Sequence, residues 1–190
     1  MSDHFADPRT GYAKYIDVPS FVDFYIIQEL SKNCDGRINK GAFITRTAAD
    51  PRLRMYHVWD FDICFGNCNT LDTFPGVANG PEGFLIKDIG PHGKDTGWLY
   101  YMFKDPVFVS AVKDRWNELY PSLETLGTFI EDKAAVQSEA ALRNFRRWPV
   151  LGKYCWPNVK WYDTYPEEVQ YLKQFYLTRL KWLDTALEEL

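Results

Sequence analysis

Apolar residues recur with helical spacing at Phe21, Phe24, Tyr25, Ile27 and Leu30, which predicts a helix over 18–32 with one broad buried face. Asp17 or Ser20 can cap its start, Pro19 fits its first turn, and Gln28 and Glu29 lie near its end. The period is then lost: 33–41 is polar and punctuated by glycines, a loop. Two short runs, 42–45 and 55–59, flank the turn-forming Thr47-Ala-Ala-Asp50-Pro51 and predict a small β-hairpin. Its second strand runs straight into Asp60-Phe61-Asp62. Segment 70–97 holds six of the chain's 12 glycines and reads as a long loop, without a GxGxxG phosphate cradle.

The helical period returns after that loop. Asp105-Pro106 opens a helix through about Tyr120, and 122–147 forms another, closed by Trp148-Pro149. A Trp- and Pro-rich connector leads to a final helix from Pro166 to the end. Val169, Leu172, Phe175, Tyr176, Leu180, Leu183 and Leu187 form its apolar stripe. The expected fold is mainly α with a small β-hairpin, in one domain of 190 residues.

Composition narrows the function classes. Lys plus Arg number 22 against 26 Asp plus Glu, a balance of −4, so no basic field draws a nucleic acid. No run approaches the ~20 apolar residues of a membrane helix, and the start carries no signal-peptide pattern. Aromatics make up 17% of the chain, which predicts a thick core or a stacking surface. Trp116, Trp148, Trp156, Trp161 and Trp182 are expected in packing or bracing positions. Cys34, Cys64, Cys68 and Cys155 match no zinc ribbon or CxxC motif, and small core residues are the expected reading.

Carboxylates gather at two junctions: Asp35 with Asn39 in the first loop, and Asp60 with Asp62 at a strand end. Asp residues at i and i+2 of an extended segment point the same way, so Asp60 and Asp62 can share a divalent cation. The alternative is that one accepts backbone N–H bonds and the other faces water. Helix, Asp-bearing loop, Asn, hairpin and then Asp-Phe at a strand end is the order of a protein-kinase catalytic half.

The wording of the chain adds a resemblance. Tyr25-Ile-Ile-Gln-Glu29-Leu with Asn33-Cys-Asp35, Val58-Trp59-Asp60-Phe61-Asp62 with Phe65-Gly66-Asn67, and Arg115-Trp116-Asn117-Glu118-Leu119 are its first segments. Asn144-Phe-Arg-Arg147-Trp148-Pro149, Trp156-Pro157-Asn158 and Arg179-Leu-Lys-Trp182-Leu183-Asp184 follow, as does the intervening Tyr100 to Phe108. In that order they resemble the CotH kinase family, atypical kinases of the spore-coat protein H type.

The resemblance implies the C-lobe of a protein-kinase-like fold over 1–190, with 18–69 as the catalytic and metal-binding segment and 98–190 as a helical subdomain. It implies ATP with Mg or Mn, and transfer of the γ-phosphate to serine or threonine of a protein substrate. By position, Asp35 is the implied catalytic residue, Asp60 and Asp62 the metal ligands, and Asn39 and Asn67 the cofactor-binding residues. Asn39 falls four residues after Asp35, where ordinary kinases place Asn at five. The N-lobe that covers the nucleotide is expected to lie outside this chain, in a missing upstream domain, leaving the chain alone weakly active or inactive. The competing reading is a non-catalytic interaction or scaffold module on a cell-surface or coat assembly. A carbohydrate-binding surface, drawn only from the Trp and Tyr content, is a third.

Overall fold

The computed structural model describes residues 4–38, 41–70, 77, 79–88 and 97–190. A 3-10 turn at Tyr12–Lys14 precedes five helices among them: α1 (Val18–Ser31), α2 (Trp98–Met102), α3 (Pro106–Leu123), α4 (Leu126–Arg147) and α5 (Tyr165–Glu188).

The helix ends follow local chemistry. Pro19 sits in the first turn of α1, and Lys32 ends the helix in the left-handed conformation, its N–H returning to the Gln28 and Glu29 carbonyls. Asp105 caps α3 by accepting from Val107 N–H at 2.9 Å, with Pro106 behind it. Thr164 and Glu167 close a capping box on α5, each serving the other's backbone N–H.

α1 is the centre of the molecule. It packs on α3 and α5, and α4 lies along α5. Burial reaches round most of its circumference, taking in Phe21, Phe24, Tyr25, Gln28, Glu29 and Leu30, while Ile27 of the expected face is only half-buried. Phe108, Val112 and Trp116 of α3 meet Leu180, Leu183 and Leu187 of α5 in the same core. Each such side chain removed from water is worth roughly 1.5–3 kcal/mol. Trp116 also donates its indole N–H to Asp184 at 2.8 Å.

The expected hairpin is not formed as strands. Among the described residues the pairing is one antiparallel bridge, Thr45 with Arg54, closed by N–H···O bonds of 3.0 and 2.8 Å, and one parallel bridge, Ile16 with Leu53. A two-stranded ribbon needs a covered face to persist. Here Tyr56, His57, Val58 and Trp59 stand exposed, and the turn is held by Asp50 bonded to Arg52 and Arg54.

Two further expectations are corrected. Trp116 is buried and Trp182 half-buried, but Trp148, Trp156 and Trp161 are exposed, Trp156 to 76%. Cys34 and Cys68 form a disulfide, with Cα atoms 6.7 Å apart. Cys64 is buried and free, burial first and Asp62 second pushing its thiol up to about 12, and Cys155 is exposed.

Candidate functional site

The C-terminus of α1 delivers one side of the site. Glu29, fully buried, accepts backbone N–H bonds from Leu85 (2.7 Å), Ile86 (2.9 Å) and Lys87 (2.9 Å), and from Arg179 Nη2 (2.7 Å). Arg179 of α5, equally buried, also donates to the carbonyls of Glu29, Pro81 and Gly83. Lys32, one turn on, donates Nζ to the Gly80 and Glu82 carbonyls. The role of Glu29 is structural. It staples segment 79–88 to α1 and α5.

Beyond Lys32 the chain turns through Asn33-Cys34-Asp35. Asn33 N–H closes on the Gln28 carbonyl at 3.1 Å, and Gly36 N–H closes on the Asn33 carbonyl at 3.1 Å. Asp35, half-buried, gives its N–H to Asn33 Oδ1 at 3.0 Å. Asn39 lies outside the described residues.

The other side is the turn 60–68. Asp60 (φ 63°), Phe65 (φ 50°) and Gly66 (φ 87°) all adopt left-handed backbone. For Asp this is tolerable; for Phe it costs on the order of 1–3 kcal/mol and persists only where surroundings impose it. They do. Phe65 N–H donates to the Ser31 carbonyl (2.7 Å), Asn67 N–H to Cys64 O (2.9 Å), and Asn69 N–H to Pro157 O (2.8 Å). Tyr171 of α5 donates its hydroxyl to the Gly66 carbonyl at 3.2 Å. A Cβ at Gly66 would sit 2.5 Å from the Phe175 ring, so no other residue fits there. Asn67 spends its Nδ2 on the Asp62 carbonyl at 2.7 Å, which shapes the turn and leaves Oδ1 for a ligand.

Asp60 and Asp62 are neighbours through their carboxyl groups. The Asp60 carboxyl is pushed above its ordinary value by desolvation, by the Asp62 charge and hydrogen bond, and by the charge of Asp35. The structure therefore sets Asp60 beside Asp62, with Asp35 near enough for its charge to act on Asp60 and Asn67 next to Asp62 on the same groove. Beside Asp62 and Asn67 opens a groove of about 510 Å³ that also takes in Lys153, Lys160 and Trp161. His57, beside the site in sequence, lies exposed against the Phe43 ring at 5.8 Å.

No group of three His, Cys, Asp or Glu positioned to hold a metal ion is assembled among the described residues. Mg²⁺ bound with a nucleotide takes one or two protein carboxylates and completes its shell with phosphate oxygens and water. A pair of neighbouring carboxyl groups, the proton affinity of one raised by desolvation and then by the other's charge, fits that use; no closed all-protein cage forms among the described residues.

Three comparisons bear on the chain. A family model described as CotH kinase protein matches residues 2–183 of the 190. The chain belongs to the CotH kinase family. No curated protein and no solved structure matches it. The CotH chain is mainly helical, and no helix among its described residues is long and apolar enough to cross a membrane.

Sequence reasoning missed two ties in this CotH site, made by three residues. Asn33 ties the two sides together, and the signal for it was an Asn-x-Asp-Gly run directly after a helix, an Asx-turn pattern. The Cys34–Cys68 bond is the other tie, between the neighbours of Asp35 and Asn67.

The crowding at Asp60 has a measurable consequence. Its folded-state pKa lies above the unfolded value, so the folded state favours the protonated acid, and that advantage is lost as pH rises through the folded pKa. At pH 7, Asp60→Asn removes the repulsion and keeps a residue type at home in left-handed backbone. We expect a higher Tm for Asp60→Asn at pH 7 in the absence of divalent cations, shrinking to no difference below about pH 4. A lower Tm at pH 7 in a thermal scan would refute the crowding.

Proposed function

We propose that this CotH chain carries the catalytic and metal-binding segment of an atypical protein serine/threonine kinase, built like a kinase C-lobe, that transfers the ATP γ-phosphate to a protein hydroxyl. The single observation that supports the reading is the convergence of Asp35 with the Asp60–Asp62 pair beneath the end of α1. In the proposed mechanism Asp35 accepts the proton of the substrate hydroxyl and orients its oxygen toward the phosphorus. Asp60 and Asp62 hold Mg²⁺ or Mn²⁺, and the cation, when bound, supplies charge neutralisation on the phosphates. Asn67 Oδ1 adds to the polar lining around the nucleotide, and Asn39, outside the described residues, is proposed as a second cofactor-binding residue by its position in the sequence alone. The described residues contain no sheet against which adenine could stack.

A second reading, a non-catalytic interaction module, draws on the exposed aromatic connector Trp148, Tyr154, Trp156 and Trp161. One experiment separates them. ATP with Mn²⁺ is expected to raise the Tm of the natural protein containing this chain, and Asp60→Asn to abolish that rise; for the 190 residues alone the rise is expected to be weak or undetectable. Labelled-phosphate transfer is expected to fall about 10²–10⁴-fold in Asp35→Ala with the thermal shift retained. A shift that survives Asp60→Asn, or transfer unchanged in Asp35→Ala, overturns the phosphotransfer reading.

A further inference from the structure

Two loops contribute the acids, and a chemical step that depends on both needs their spacing fixed. Asn33 spans them with a single side chain. Its Nδ2 donates to the Asp60 carbonyl at 3.2 Å and its Oδ1 accepts the Asp35 N–H at 3.0 Å. The residue is 1% exposed, so both halves of the amide would be costly to leave unpaired. Its own N–H is spent on the Gln28 carbonyl, which anchors it to the end of the buried helix α1, and its carbonyl accepts the Gly36 N–H of the loop. The amide thus relates Asp35 and Asp60 to each other and both to a rigid support.

We propose that Asn33 is the positioning residue of the site, setting Asp60 relative to Asp35 through its cross-loop hydrogen bond. The proposal rests on the phosphotransfer reading and assigns a role that the acids themselves do not fill. The two bonds of the amide are separable. The Asp35 bond is an i to i+2 Asx turn, which a serine hydroxyl reproduces in weaker form. The Asp60 bond crosses 27 residues of sequence and needs the length of the asparagine amide. Asn33→Ser therefore keeps the local turn and loses the cross-loop bond, whereas Asn33→Ala loses both.

The test measures Mn²⁺ affinity in the presence of ATP, amide exchange at Asp35, and Tm, for the natural protein containing this chain and both variants. Outer partners of metal ligands are worth about 10–100-fold in metal affinity. Both variants are expected to bind Mn²⁺ about 10–100-fold more weakly, while only Asn33→Ala speeds exchange of the Asp35 amide. Mn²⁺ affinity of Asn33→Ser within about twofold of the parent, below that range, overturns the positioning role and leaves a local turn. Should Asn33→Ala fail to fold, the serine variant decides alone. A natural parent protein that itself binds no Mn²⁺ with ATP overturns the phosphotransfer reading and the positioning role with it, a result distinguishable because the variants are then not needed to obtain it.

Discussion

Glu29→Gln destabilises the protein by about 3–5 kcal/mol, the cost of breaking a buried ion pair from one side. The substitution is nearly isosteric, so the loss comes from hydrogen-bond arithmetic. Glu29 Oε1 accepts from Leu85 N–H and Arg179 Nη2, and Oε2 accepts from Ile86 and Lys87 N–H. Both oxygens serve two donors each. A glutamine offers one acceptor oxygen and one NH₂, so two donors meet a donor whichever way the amide is turned. Arg179 is left as a buried cation facing only carbonyl oxygens.

Arg179→Lys fails for a related reason. An ammonium is a point charge with three donors and cannot reproduce the planar fork that reaches Glu29, Pro81 and Gly83 together. We expect a loss of the same order, read as a lower denaturation midpoint at pH 7. A change under about 1 kcal/mol in Glu29→Gln would mean that segment 81–87 is not held through the carboxylate.

The helices were legible because their signals are local. Pro166 and the stripe from Val169 to Leu187 predict the last helix, and α5 runs Tyr165–Glu188 with Phe175, Tyr176, Leu180, Leu183 and Leu187 buried. Asp105-Pro106 likewise starts α3 where expected. Arg179 was not legible as the centre of the core, because its partners Glu29, Pro81 and Gly83 lie about a hundred residues away or more. The hairpin over 42–59 failed for the converse reason. Alternation and turn chemistry are local, but strands persist only when something covers one face, and nothing in the sequence says what covers Tyr56 to Trp59.

The acids of the site sat between these cases. Their order along the chain marked Asp35, Asp60 and Asp62, since phosphoryl transfer needs placed carboxylates and little else. The ties that hold them, Asn33 and the cystine, join residues 27 and 34 positions apart and leave no period to read.

Removing the cystine is the second large effect. Cys34→Ser/Cys68→Ser lowers stability by about 2–4 kcal/mol, because the cross-link restricts the unfolded chain over a separation of 34 residues. Thiol reduction of the unmodified protein should reproduce that loss, whereas Cys155→Ser, at an exposed position, should stay within about 0.5 kcal/mol. The local consequence differs from the global one. Cys34 adjoins Asp35 and Cys68 adjoins Asn67, so reduction frees the two loops at the point where the acids meet. The Phe65 N–H bond to Ser31 and the Asn33 bridge remain to hold them. Amide exchange at Phe65 and Asp35 should therefore quicken more on reduction than exchange in the middle of α3. If the denatured, unreduced protein titrates four thiols instead of two, the cystine is absent and this expectation falls with it.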